Sequence, residues 1–168
     1  YMHSHPIAES WGRADLASAD MMSRETVKSS PLVRRDPRTK KKSIGIYTHI
    51  HDRWGIFYDQ PIVLGERQAG VALEGVLRQS AVTINQLAVD THGQTEFGMF
   101  LGKSLGKDVC PRLRDASGHK LYMTSAMTVP EDLRSVIARN RAHPEKVEAV
   151  WDEWVRMAAS THVGKASA

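Results

Sequence analysis

The chain has 168 residues, 41% hydrophobic and 25% charged, which is enough apolar material for the core of one ordinary domain spanning residues 1–168. Its single cysteine, Cys110, excludes an intrachain disulfide, and no apolar run approaches membrane-spanning length, so the sequence reads as soluble and cytoplasmic with no membrane partner. The formal charge of +4 is unevenly placed: Arg34, Arg35, Arg38, Lys40, Lys41 and Lys42 stand against Asp36 alone, a run that either holds phosphates or forms a solvated hairpin loop.

In chain order, residues 1–12 lack periodicity and read as an irregular lead-in from Tyr1, a start that suggests a piece of a longer polypeptide. His3 and His5 lack a nearby Cys/His pair and are not expected to bind metal. Residues 13–20 alternate weakly and predict a strand ending at Asp20, whose small residues suit the centre of a sheet. Residues 23–33 predict a second strand, interrupted before Pro31. Residues 43–50 place Ile44, Ile46, Thr48 and Ile50 on one strand face, which leaves His49 and His51 on the polar one. Residues 54–64 continue in extended form, and the short 51–53 link makes the pair an antiparallel hairpin.

Ala69, Ala72, Leu73, Val76 and Leu77 recur at helical spacing across residues 66–79. A short buried strand then ends on Asp90 and leaves through Thr91, His92 and Gly93. Residues 95–105 form a second helix on Phe97, Phe100, Leu101 and Leu105, closed by Gly106. The glycines and lysines of residues 102–107 lack phosphate-loop spacing. Residues 108–114 and 119–123 read as extended, with Cys110 buried rather than nucleophilic. Residues 130–139 predict a short helix capped by Thr128. Residues 144–161 predict a longer one with Val147, Val150, Trp151, Trp154, Val155 and Ala158 inward and Glu145, Glu148, Asp152 and Glu153 solvated.

Three extended segments, a helix, a strand and a helix follow the order of a ribonuclease-H-like α/β fold, a mixed sheet flanked by helices. In that order the first strand and the strand after the helix lie side by side, so Asp20 and Asp90 meet. Two carboxylates at one sheet edge are tolerable when a cation sits between them, and Mg²⁺ (or Mn²⁺) accepts such oxygens while leaving positions for phosphate. The plainer reading of each Asp is a turn or helix cap.

The stretches WGRADLASAD, IGIYTHIHDRWGIFYDQPIV, AVDTHGQTEFGMFLGKSLGKDVCPRLRD and VWDEWVRMAAS resemble the catalytic region of Tn3-family transposases. The resemblance covers nearly the whole chain. It implies that Ser18-Ala19-Asp20 corresponds to a Ser-Asp-Gly tract carrying the first metal-binding Asp, with Met21 where the family often has Gly. It implies that the tract from Asp90 to Gly93 carries the second. The family's third acidic residue, a Glu in a Leu-Asn-Lys-Gly-Glu-like tract, has no counterpart here, so the catalytic domain is expected to be incomplete at the C-terminus. The implied activity is metal-dependent cleavage and strand transfer at transposon ends. The implied partners are terminal inverted repeats, target DNA, the rest of the same polypeptide and a second copy in a homodimer. Arg112 and Arg114, or the 34–42 run with Arg34, Arg35, Lys40, Lys41 and Lys42, would hold the DNA backbone. His92 would orient a water, contact a phosphate or simply close the turn. A ribonuclease-H-like nuclease and a non-catalytic DNA-binding remnant remain as alternatives.

Overall fold

In the computed structural model, which describes residues 5–167, the spine of the sheet is β1 (Leu16–Glu25). Antiparallel β3 (Lys42–His51) runs along one side of it, from Ala17 opposite His51 to Glu25 opposite Ser43. Parallel β5 (Gln86–Val89) lies on the other side and is followed by parallel β6 (Asp108–Pro111). The far edge of β3 carries both β2 (Arg34–Arg35) and β4 (Ile56–Ile62), which completes a six-stranded mixed sheet in the order β2-β3-β1-β5-β6 with β4 on β3. The strand before Asp90 therefore lies beside the first strand, as a ribonuclease-H-like sheet requires.

β1 does not stop at Asp20. Met22, Ser23 and Arg24 keep ladder partners in Ile46, Gly45 and Ile44, so pairing with β3 carries the strand five residues further than its own alternation suggests. Of the stretch expected as a second strand, residues 23–25 belong to β1 and residues 26–33 are turn and irregular backbone; the two-residue β2 comes only after it. The lead-in also holds a short helix, α1 (Pro6–Glu9), started by Pro6 and by the ring of His5, whose Nδ1 accepts from the Ile7 amide. His3 lies outside the described residues.

The buried face of β3 is the reverse of the expected one. Ser43, Tyr47, His49 and His51 are buried, whereas Ile50 on the opposite face is 42% exposed. The cause lies in the covering helix, α2 (Gln68–Leu77), whose buried residues Ala69, Ala72 and Gly75 are small enough to seat aromatic rings. A Cβ at Gly75 would overlap the His49 ring, and His49 Nε2 lies 2.9 Å from the Ala72 carbonyl. Tyr47 joins Ala17, Ala19, Ala72, Val76, Leu87 and Val89 in the main core.

A second helix, α3 (Glu96–Ser104), begins at Thr95, whose hydroxyl accepts from the Gly98 amide, and ends before Gly106 at φ +72°. Gly98 and Gly102 bring it close: a Cβ on either would stand 2.7 Å from Ala69 Cβ or Val109 Cγ2 respectively. Phe97 and Phe100, expected inward, instead pack against Trp154 of α5 (Trp151–His162), Phe97 edge-to-face at 5.6 Å and Phe100 tilted at 4.3 Å between ring centres.

Four more expectations are corrected beyond α3. Cys110 is exposed, because alternation along β6 turns it away from the side on which Val109 packs against the core. Residues 119–123 form no strand, only an isolated bridge from Leu121 to Ile137. Glu131–Val136 is a 3₁₀ helix entered at Pro130, with no side-chain cap from Thr128. The long final helix is broken at Ala149-Val150 into α4 (Pro144–Glu148) and α5, and Val147, Val150, Trp151 and Val155 are exposed while Ala158 is buried. Among the described residues no helix is long and apolar enough to cross a membrane.

Candidate active site

Asp20 sits in mid-strand, exposed, between the buried Ala19 and the half-buried Met21, and one carboxylate oxygen accepts from the Met21 amide at 2.7 Å. Asp90 is the first residue past β5 and holds the 3₁₀ turn Thr91–Gly93 together. Its Oδ1 accepts from the amides of His92 and Gly93 at 3.0 and 3.1 Å, and its Oδ2 meets His92 Nδ1 at 2.7 Å. Gly93 fits because the turn folds back on Val89, where an added Cβ would press 2.7 Å from the valine Cβ.

The ladder between β1 and β5 ends with Ala19 opposite Val89. One step further come Asp20 and Asp90, on neighbouring parallel strands whose spacing is on the order of 5 Å. Since Ala19 belongs to the core, alternation along β1 turns Asp20 to the other face of the sheet, while Asp90 follows the core residue Val89 just past the end of β5. Each acid thus comes directly after a paired core residue, on neighbouring strands.

Partial burial works against charge on Asp90, but the bonds from His92 and Gly93 outweigh it and hold the carboxyl below its usual range. His92, 70% exposed, is committed to Asp90 by this contact. Beneath the pair lies a group that sequence reasoning passed over. Tyr47 is fully buried, its hydroxyl has no hydrogen-bond partner among the described residues, and burial followed by the charges of Asp90 and Asp20 drives its pKa far upward. Its signal in the sequence was the position opposite Met21, on the face shared with Ala17 and Ala19, where only small neighbours admit a ring. Asp59 was also missed; it faces Thr48, which in turn faces Asp20.

The basic candidates gather toward the same end of the sheet. Arg112 follows β6 directly, its amide donating to the Val89 carbonyl and its own carbonyl accepting from Thr91 Oγ1, so it borders the Asp90 turn; Arg112 and Arg114 are both exposed. The 34–42 run forms the β2–β3 hairpin, which opposes the far end of β1. Within it Arg34 donates to the Pro31 and Val33 carbonyls and Lys41 pairs with Glu25 at 2.7 Å, while Arg35, Lys40 and Lys42 are exposed. Asp20 and Asp90 supply hard oxygen donors of the kind Mg²⁺ or Mn²⁺ takes. Among the described residues no group of three or more His, Cys, Asp or Glu converges to hold a metal ion, so the pair fits such an ion but does not complete a cage.

The whole chain, residues 1–168, matches the Tn3 transposase DDE domain. It belongs to that family. The chain is 51% identical, over its full length, to the transposase for insertion sequence element IS1071 in transposon Tn5271 of Comamonas testosteroni. It is 28% identical over 97% of its length to the transposase for transposon Tn3926 of Escherichia coli, and 28% identical over all of it to that for transposon Tn501 of Pseudomonas aeruginosa. In each case it spans 17% of the relative's length. No solved structure matches the chain.

Proposed function

We propose that this Tn3 transposase DDE domain sequence supplies two of the metal-holding carboxylates, Asp20 and Asp90, of a transposase that cuts transposon ends and joins them to target DNA. The reading is supported by one observation: the β1–β5 ladder ends with Ala19 opposite Val89, and Asp20 and Asp90 are the next residue on each strand. A divalent ion bound there would polarise a phosphate and lower the pKa of a bound water. The chain's own contribution is to fix the two donors on rigid strands, with Asp90 kept ionised by its turn and Arg112 beside it to meet a phosphate. A third carboxylate comes from elsewhere in the longer polypeptide. That polypeptide works as a homodimer on terminal inverted repeats and target DNA, in the cytoplasm.

The test is a strand-transfer assay with Mg²⁺ or Mn²⁺ on a transposon-end duplex. The 168-residue chain alone should join no strands, and the longer polypeptide containing it should. Asp20→Asn or Asp90→Asn in the longer form should lower cleavage and joining by about 10²- to 10³-fold or more. Variants that keep full activity would refute the assignment. Cleavage without joining would favour a nuclease of the same fold.

A further inference from the structure

Asp36 is the one acid inside the basic run, and simple charge counting makes it an obstacle to DNA. Its surroundings argue the opposite. Although its neighbours Arg35, Pro37, Arg38, Thr39 and Lys40 are exposed, Asp36 is only 5% exposed. Its Oδ2 accepts from Ser23 Oγ at 2.5 Å, and its Oδ1 accepts from the amides of Arg38 and Thr39 at 2.7 and 3.4 Å. Its backbone closes the same turn, the carbonyl accepting from the Lys40 amide and the amide donating to the Lys41 carbonyl, each at 2.8 Å. Lys40 is held at φ +60°, a left-handed conformation that a non-glycine residue adopts only when its surroundings impose it.

One end of this clamp is on β1 itself. Ser23 lies three residues beyond Asp20, about 10 Å along the strand. Asp36 therefore ties the tip of the basic hairpin to the strand that carries the first candidate metal ligand. Beside the tip, Ser29, Ser30, Val33, Arg34, Arg35 and Lys42 line a cleft of about 380 Å³ that offers hydroxyl donors and cations together, a lining suited to phosphate oxygens.

We propose that Asp36 is a positioning residue for nucleic-acid binding: by fixing the turn of residues 36–41 against Ser23, it presets Arg35, Arg38 and Lys40 to grip successive backbone phosphates at a fixed distance from Asp20. Removing the acceptor oxygens of this side chain weakens DNA binding, even where it makes the chain more basic. The inference rests on the reading that the 34–42 run meets DNA, and its test separates the two. Binding of a short labelled duplex of arbitrary sequence is followed by anisotropy across a salt series for the 168-residue chain and four variants. Replacement of Lys40, Lys41 and Lys42 together by Ala tests the underlying reading; an unchanged affinity and salt slope would overturn it and this inference with it.

Given that loss, Asp36→Ala should bind several-fold more weakly, with a log–log salt slope shallower by about 1 to 2, as one or two phosphate contacts go. Asp36→Asn deletes the same charge but keeps an oxygen for the Arg38 amide, so it should stay close to the parent protein. Ser23→Ala, which removes one strut, should shift affinity in the direction of Asp36→Ala by less, and it carries the test if Asp36→Ala does not fold. Charge alone predicts equal or tighter binding for both Asp36 variants, with no weakening in Ser23→Ala. That pattern would overturn the positioning role while leaving the DNA reading in place.

Discussion

Replacing Tyr47 with Phe should stabilise this chain. Tyr47 is 0% exposed and its hydroxyl has no partner among the described residues, so folding strips the oxygen of water without replacing the hydrogen bond. An unsatisfied buried polar group costs about 1–3 kcal/mol, and Phe removes the group while keeping the ring among Ala17, Ala19, Leu87 and Val89. The void left by one oxygen returns part of this, so the expected gain is about 1 kcal/mol.

A pH dependence sharpens the test. The folded pKa of Tyr47 is raised by burial first, then by the negative charges of Asp90 and Asp20. With the folded value above the unfolded value of about 10, the stability linked to the protonated phenol is intact below pH 10. Above it the unfolded chain releases its proton first, and stability falls by up to about 1.4 kcal/mol per pH unit until the folded phenol also ionises. Tyr47→Phe lacks this limb. Urea unfolding followed by far-ultraviolet circular dichroism at neutral and alkaline pH measures both effects. A variant destabilised by more than about 1 kcal/mol would refute the reasoning and mean that the hydroxyl is satisfied, for instance through a buried water bonded toward Asp20 or Asp90.

Two further outcomes are expected. Burial holds the His49 pKa below its ordinary 6.5 despite the Ala72 carbonyl. The unfolded chain therefore takes up the proton first, and stability is full above about pH 6.5 and declines by up to about 1.4 kcal/mol per unit below it; His49→Gln should flatten this acid limb in urea titrations. Trp154 ties α5 to α3 through its packing on Phe97 and Phe100 and through the Nε1–H bond to Ser104 Oγ at 2.8 Å. Trp154→Ala, at a half-buried ring, should cost up to about 3 kcal/mol of α5 docking and speed hydrogen exchange in α5 while β3 amides stay protected.

Much of the fold was legible where one periodicity acted alone. The α2 stripe of Ala69, Ala72, Leu73 and Val76 is buried as its spacing requires, and the hairpin of β3 with β4 follows from a short link between two extended runs. Boundaries set by pairing were not legible: nothing local continues β1 past Asp20, because the cause is a ladder with residues 18 to 26 positions away. The choice of face on β3 failed for a related reason. Isoleucines outrank histidines on any hydropathy scale, but Gly75 and Ala72 on a distant helix decide which rings can be seated. The late tryptophans depart from expectation because a helical stripe does not by itself require one continuous helix packed on a core; after the break at Ala149-Val150, Trp154 and Ala158 find partners in the second core cluster.

The candidate site was more legible than the surface around it, and strand alternation explains why. Ala19 and Val89 pair with each other in the core and Asp20 and Asp90 come one residue on, so the pairing that fills the core also puts the acids next to it on neighbouring strands. A slip of one residue between β1 and β5 would bury a carboxylate and expose an apolar side chain, a cost of several kcal/mol that ties the site's geometry to the stability of the sheet. Asp36 has no such link to core packing. Its role depends on hydrogen bonds across a turn to Ser23, thirteen residues earlier, and no hydrophobic pattern registers that contact. Core-coupled acids can thus be read from strand order, whereas an acid that shapes a basic loop is visible only once the turn is built.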